Sequence, residues 1–306
     1  MRLTTRTVVF ALMAEVVVYS GMAVAVADVR AHKRAELGRG LNARGFRGAL
    51  RIHKAPAERR VVIVGGDAAY GSAVDWELSL APALGNRLEQ GWRSKHRRGE
   101  LISVMNLSEP DAGASSYAGT LRRYAYLAPD VVCIYDGYAA TDGVSVESRE
   151  KSLVFRTTGY LPILGLHGRP QLSVPSAGVD PVLQDVNAQV DAAHDPSCER
   201  LSAAYCTAMA ETVSSALAQG RSVVVATPPY VSARHRRQQE SLAAALARQF
   251  GSNPRFQYIA VGASAELRNR SVSADGINLT AGGYEAVADR LVDAIFEAVH
   301  ESTDAR

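Results

Sequence analysis

Cysteine is scarce in this chain, and its spacing excludes more than its number. There are three cysteines in 306 residues. None forms a CxxC pair or stands at metal-ligand spacing with a histidine, so no structural zinc, iron–sulfur cluster or dithiol redox site is expected. Cys133 lies in an apolar run and reads as a small buried hydrophobe. Cys198 and Cys206 are too far apart to bridge within one helix, and they pair only if Cys198 lies in a loop folded back onto a helix. Internal repeats are also lacking, and so is a dominant charge of one sign: the formal net charge is +3. That small value conceals a split. Up to Arg60 there are 12 Lys/Arg against 4 Asp/Glu, and beyond it 22 against 27. A mildly acidic body behind a basic arm does not suit nucleic-acid binding by the whole chain, and no nucleic-acid partner is expected. No cofactor is expected either.

Long hydrophobic runs are confined to one stretch. Residues 1–6 form a short tail carrying Arg2 and Arg6, and residues 7–27 read TVVFALMAEVVVYSGMAVAVA, broken only by Glu15. At 1.5 Å per residue, such a helix spans about 30 Å, the hydrocarbon core of a bilayer. Ala25-Val26-Ala27 before Asp28 also fits a signal-peptide cleavage site. A carboxylate inside a signal core is unusual, which favours an uncleaved anchor. Facing lipid, Glu15 costs a few kcal/mol, so it is expected to face a transmembrane partner or to be protonated. Gly21, Ala23, Ala25 and Ala27 allow close helix packing.

Residues 28–57 are basic and weakly periodic, and read as a linker or an arm that wraps a partner. Arg30, Lys33, Arg34, Arg39, Arg44 and Arg47 are its candidate contacts to an acidic partner surface or to anionic lipid headgroups. On this reading, deleting residues 1–57 leaves a folded body. From Arg59 onward, short apolar runs alternate with helical patterns. Strands are expected at 61–64, 101–106, 130–135, 222–226 and 256–261. Helices are expected at 75–89, 115–127, 202–219, 235–250 and 281–299. In the last helix Tyr284, Val287, Leu291, Ile295 and Val299 make one stripe. Five buried strands alternating with helices predict a doubly wound, flavodoxin-like α/β domain over 58–300, with its site at the carboxyl ends of a parallel sheet. Residues 141–196 interrupt the alternation as a Gly/Pro-punctuated insertion, long enough to serve as a lid or a contact surface.

The turns after the strands carry motifs in a particular order. Gly66-Asp67-Ala68 follows the first strand, Asn106-Leu107-Ser108 and then Gly113 the second. Asp136-Gly137-Tyr138-Ala139-Ala140 follows the third strand, and Pro228-Pro229-Tyr230 the fourth. Asp275-Gly276-Ile277-Asn278-Leu279-Thr280 precedes Gly283-Tyr284. Over about residues 60–299 this series resembles the blocks of the SGNH (GDSL-type) hydrolases, with a five-stranded parallel sheet between helices. The resemblance implies ester hydrolysis by a serine, a histidine base and an orienting aspartate. The aligned positions here are otherwise occupied. The nucleophile position is Ala68, the side-chain oxyanion donor is Ala139, and the base position is Asn278. Asp275 and the backbone donors at Ala68 and Gly113 are what remains, and no catalytic residue is expected.

Neighbouring groups offer little rescue. Ser72 reads as the start or cap of the next helix, and Asp67 as a turn-stabilising carboxylate. Asp136 and Asp142 read as solvated loop charges; His167, His194 and His235 read as surface residues. The expectation is a non-catalytic, membrane-anchored protein serving as an accessory subunit of an envelope, respiratory or photosynthetic complex, beside transmembrane partners. Two alternatives stand beside it: a carbohydrate- or acyl-binding pseudoenzyme, and a divergent esterase or O-acetyl-transfer enzyme. The Lys/Arg bias favours a cytoplasmic body. Anchored proteins of the resembled family carry theirs outside, and the extracytoplasmic side is the expected one.

Overall fold

The computed structural model describes residues 5–50, 52–95, 101–110, 112–136, 152–163, 198, 204–230, 233–263, 271–273 and 278–304. Helix α1 (Thr5–Arg39) is followed by β1 (Glu58–Val64), α2 (Asp67–Tyr70), α3 (Leu80–Lys95) and β2 (Leu101–Asn106). Then come α4 (Ala114–Arg123), β3 (Val131–Tyr135), α5 (Leu153–Thr158) and α6 (Ala204–Ala218). The order closes with β4 (Ser222–Ala226), α7 (Ala233–Phe250), β5 (Phe256–Ile259) and α8 (Ala281–Asp304). All strand pairs are parallel, in the order β2-β1-β3-β4-β5. The doubly wound α/β fold is thus the observed one.

The runs of valine and isoleucine explain the sheet. Val61 to Val64, Val131 to Tyr135 and Val223 to Ala226 are all 0–1% exposed. Both faces of these central strands are covered, so the strands are continuously apolar rather than alternating. One face is packed by α3 and α8, through Leu84, Leu88, Tyr284, Val287, Leu291, Ile295 and Val299. The other is packed by α4, α6 and α7, through Tyr117, Leu121, Met209, Val213, Leu242 and Leu246. The stripe expected on the last helix is therefore the stripe it buries.

Residues 28–57 are not a free arm. No glycine or proline lies between Met22 and Leu37, so α1 runs on past Ala27 without a break. It stops where Gly40 takes a φ of +66° and returns its N–H to the carbonyl of Glu36. The apolar stretch of α1 is exposed throughout. Beyond it the helix docks on the body: Asp28 and His32 are buried. The Tyr160 hydroxyl donates to Asp28 Oδ2, the Ile163 N–H donates to Asp28 Oδ1 at 2.9 Å, and His32 Nε2 meets the Leu161 carbonyl. The chain then folds back into the body. Phe46 is 1% exposed and meets Tyr124 edge-on at 5.7 Å, and Arg47 pairs with Asn106 across the edge of β2. Burial of one large ring and this pairing make residues 40–50 part of the domain, so the expected independence of the body from residues 1–57 is corrected.

Several element bounds also shift. The expected helix at 75–89 is a 3₁₀ turn at Trp76–Leu78 followed by α3. Ser72 lies in the turn before it and caps nothing. Cys198 lies outside α6, its N–H bonded to Ser241 Oγ on α7 at 2.7 Å, and its sulfur is joined to Cys206. That is the folded-back geometry the pairing requires.

Candidate functional site

The site of interest lies where β1, β2 and β3 end. Gly65 leaves β1 in a space that admits no side chain: a Cβ there would sit 2.2 Å from the Tyr135 carbonyl and 2.7 Å from Ala69. The strand can therefore turn at once into α2, whose C-terminus is closed by Gly71 at φ +76°. Ala68 is in the first turn of α2 and buried, and its carbonyl accepts the Tyr284 hydroxyl of α8 at 3.0 Å. Asn106, the last residue of β2, donates from Nδ2 to the Ala69 carbonyl at 2.8 Å and accepts the Ser108 N–H at 2.9 Å. Gly113 precedes α4 as its N-cap, its carbonyl accepting both the N–H and the hydroxyl of Ser116.

The segment holding Asn278 closes from the α8 side. Its backbone carbonyl accepts the Ser273 hydroxyl at 2.8 Å, and Ser273 and Leu279 form an isolated bridge. Thr280 then binds the carbonyls of Val272 and Ser271 and receives the Gly283 N–H. Leu279, Tyr284 and Ala68 share one apolar cluster. Leu279, the neighbour of Asn278, thus packs on the same face of the sheet as Ala68. Ala139 and Asp275 lie outside the described residues, as do Asp142, His167 and His194.

Chemically, the described part of this site offers carbonyls, a methyl group and a carboxamide. Ala68 has no nucleophilic heteroatom, and the amide of Asn278 has no useful basicity. Ser108 is buried behind the site, and its hydroxyl has no hydrogen-bond partner among the described residues. Asp136 differs from its expectation. It is 2% exposed rather than a solvated loop charge. Burial, and then the charge of Asp136 beside them, push the hydroxyls of Tyr117 and Tyr205 well above the usual tyrosine range. His235 is corrected likewise: it is 0% exposed, edge-on to Tyr230 at 5.9 Å, because the first turn of α7 folds inward. Asp67 is exposed. Among the described residues no cluster of three His, Cys, Asp or Glu side chains is placed to hold a metal. Cys133 is enclosed in β3, and burial raises its thiol to about 12, leaving it inert.

The basic residues divide. Arg30, Lys33, Arg34 and Arg39 are exposed on α1, and Glu15 is exposed on its apolar stretch. Arg44 is half-buried, with Nη1 on the Thr158 carbonyl at 2.9 Å and its guanidinium over the Tyr126 ring. Arg47 is 4% exposed, so it is not the free partner contact expected of it. Its Nε donates to the Arg39 carbonyl at 2.8 Å, and its Nη1 reaches the carbonyls of Tyr70 and Gly71. It therefore ties together the C-termini of α1 and α2, where carbonyls lack helical partners and a cation is favoured. Nothing local in Gly45-Phe46-Arg47-Gly48 signals this, because both partners are distant in sequence. Asn106 did carry a signal, as a polar residue ending an apolar strand.

No family model and no curated protein matches the chain. Solved structures are similar to it at low identity. A family 3 carbohydrate esterase from Clostridium thermocellum is 12% identical, with a TM-score of 0.48, over 80% of this chain and 98% of its own. A lipolytic protein of the G-D-S-L family from Desulfitobacterium hafniense is 14% identical, with a TM-score of 0.42, over 76% and 98%. A psychrotrophic esterase from Pseudoalteromonas is 12% identical, with a TM-score of 0.42, over 79% and 99%. These likenesses are of fold alone and assign no activity. In fold, the chain is similar to solved GDSL-type esterases: five parallel strands between two layers of helices.

Proposed function

We propose that this protein is a non-catalytic, membrane-anchored module of SGNH type that serves as an accessory subunit of a membrane protein complex. The observation that carries the loss of catalysis is Ala68: at the position matched to the nucleophile stands a buried methyl group, with its carbonyl engaged by Tyr284. Removing the nucleophile alone costs about 10⁶ in kcat in a comparable hydrolase. Asn278 at the base position deepens that loss. Ester turnover then has no starting group, and what the fold keeps is shape.

The anchor gives that shape a fixed place. A flexible linker lets a body wander, whereas α1 passes from its apolar stretch into the body as one helix, clasped at Asp28 and His32. Such a body is held at one height and one orientation, which suits a subunit that braces neighbours. Glu15 and the stripe of small residues face a transmembrane partner, and Arg30, Lys33 and Arg34 meet anionic headgroups or the partner's acidic surface. The Cys198–Cys206 pairing supports an extracytoplasmic body, because disulfides persist in oxidising compartments.

Two measurements test this reading. A serine-directed fluorophosphonate is expected to leave the purified protein unlabelled, with p-nitrophenyl acetate turned over no faster than by a Ser72→Ala variant. Mild detergent extraction is expected to bring down transmembrane chains with it. Stoichiometric labelling of one serine refutes the loss of catalysis; a detergent-solubilised monomer with no companion chain refutes the subunit role.

A further inference from the structure

A cavity of about 470 Å³ lies beside the junction of α1 with the body, and its lining includes Arg39, Arg47, Tyr70, Ser72, Asp75 and Leu78. Ala68, Gly113 and Asn278 are not among the described residues that line it. Two arginines border it. Arg47 is 4% exposed and forms no ion pair among the described residues; its bonds go to three backbone carbonyls. Those bonds occupy Nε and Nη1, and the Nη2 edge has no partner among the described residues. Arg39 adds a second, exposed guanidinium with no carboxylate partner among the described residues. Among the described residues that line it, the carboxylate is Asp75, itself exposed, against the two guanidinium groups.

A buried guanidinium with no direct ion pair among the described residues is costly, since Glu77 acts on it only from a distance, and a second cation beside it adds repulsion. Burial lowers the pKa of Arg47 against the raising effects of Tyr70, Tyr284 and Glu77, and Arg39 adds a smaller lowering. An oxyanion seated between the two would relieve both costs and take paired N–H donors from a planar fork.

We propose that this cavity binds the phosphate or carboxylate group of a small soluble molecule of about sugar size, held between Arg39 and Arg47. The volume falls within the range of small-molecule sites. Ser72 and Asp75 supply hydroxyl and carboxylate partners for the body of such a ligand, and Leu78 supplies apolar contact, while the buried Tyr70 ring backs the guanidinium of Arg47. Height decides between a lipid headgroup and a free ligand, on the reading that α1 spans a bilayer. Arg39 lies eleven residues beyond Asp28, about 16 Å along the helix, whereas the headgroup layer is roughly 5–8 Å deep. A headgroup in a flat bilayer does not reach the cavity.

The test is titration calorimetry on the full chain in detergent, with inorganic phosphate, glucose 6-phosphate and glucose as probes. Vesicles of phosphatidylglycerol against phosphatidylcholine form a further arm. Trp76, whose ring covers Gly40 beside the cavity, reports occupancy by fluorescence, while Trp92 is packed far off on Phe296. Saturable binding of glucose 6-phosphate is expected, with none of glucose. Arg39→Gln is expected to weaken it about tenfold, as loss of one charge-assisted hydrogen bond does. Because Arg39 is exposed, that variant keeps the fold; Arg47→Met is the deeper variant and is expected to abolish binding. Absence of saturable binding by either anion, binding indifferent to Arg39→Gln, or binding only to phosphatidylglycerol vesicles overturns the proposal. Vesicle-only binding leaves the subunit role standing, and so separates the two ideas.

Discussion

Two truncations separate the apolar stretch of α1 from the part of the N-terminal segment that belongs to the domain. A chain beginning at residue 28 lacks the apolar stretch but keeps the docked end of α1, Phe46 and Arg47. A chain beginning at residue 58 lacks all of these. Phe46 is 1% exposed against Tyr124, and removal of such a ring costs about 3–5 kcal/mol. The shorter chain also loses the two backbone bonds between Arg47 and Asn106, and the carbonyls of Tyr70 and Gly71 lose the donor Arg47 gives them. It further loses Lys54, which pairs with the buried Asp130 at 2.5 Å. At about 1 kcal/mol for each neutral hydrogen bond, the sum is comparable with the 5–15 kcal/mol that stabilises a whole domain. The chain from 28 is therefore expected to be soluble, with a native near-ultraviolet circular dichroism spectrum and one cooperative urea transition. The chain from 58 is expected to aggregate or to lack that transition. In the full-length protein Phe46→Ala alone should lower stability by about 3–5 kcal/mol. The reasoning is refuted if the chain from 58 unfolds at the same urea concentration as the chain from 28.

Two further outcomes follow from buried groups. Burial by itself would raise the Glu58 carboxyl, but hydrogen bonds from Arg60, Ser103 and the Ala55 N–H hold it at about 2, below its usual 4.5. A depressed carboxyl stabilises the fold above its unfolded pKa, so about 3 kcal/mol should be lost as the pH falls from about 4.5 towards 2. Glu58→Gln should be less stable at neutral pH and show a shallower acid limb in denaturation, and an unchanged limb would show that Glu58 is not the group responsible. Closing the short loop between Cys198 and Cys206 is worth about 2–3 kcal/mol in the chain-entropy account. Native protein is expected to leave both thiols unalkylated until reduced, with a lower melting temperature afterwards; alkylation of both without reductant refutes the pairing.

The fold was largely legible because its signals are local. A short β-branched run such as Val-Val-Ile-Val, closed by Gly65-Gly66, suits a buried strand, and a stripe from Tyr284 to Val299 suits a helix with one covered face. The residue identities at the site are legible for a similar reason. Whether position 68 bears a hydroxyl is a matter of residue identity, whatever surrounds it. The chain beyond Ala27 was misread because its basic composition matches that of a linker, while its fate depends on partners far away: Asp28 on Tyr160 and Ile163, Phe46 on Tyr124, Arg47 on Tyr70. His235 and Asp136 were misread in the same way, since a polar residue in a polar stretch shows nothing of the helices that will enclose it.

Sequence alone thus determined the alternation of strands and helices, the apolar stretch near the N-terminus and the methyl side chain at position 68. These depend on side-chain chemistry and on periods of a few residues. Tertiary structure alone decided that the helix enters the body without a hinge, that Cys198 reaches Cys206, and that Arg39 and Arg47 border one cavity. Each of these requires the chain to return on itself, and the free energy that selects the return is spread over contacts no short stretch of sequence contains.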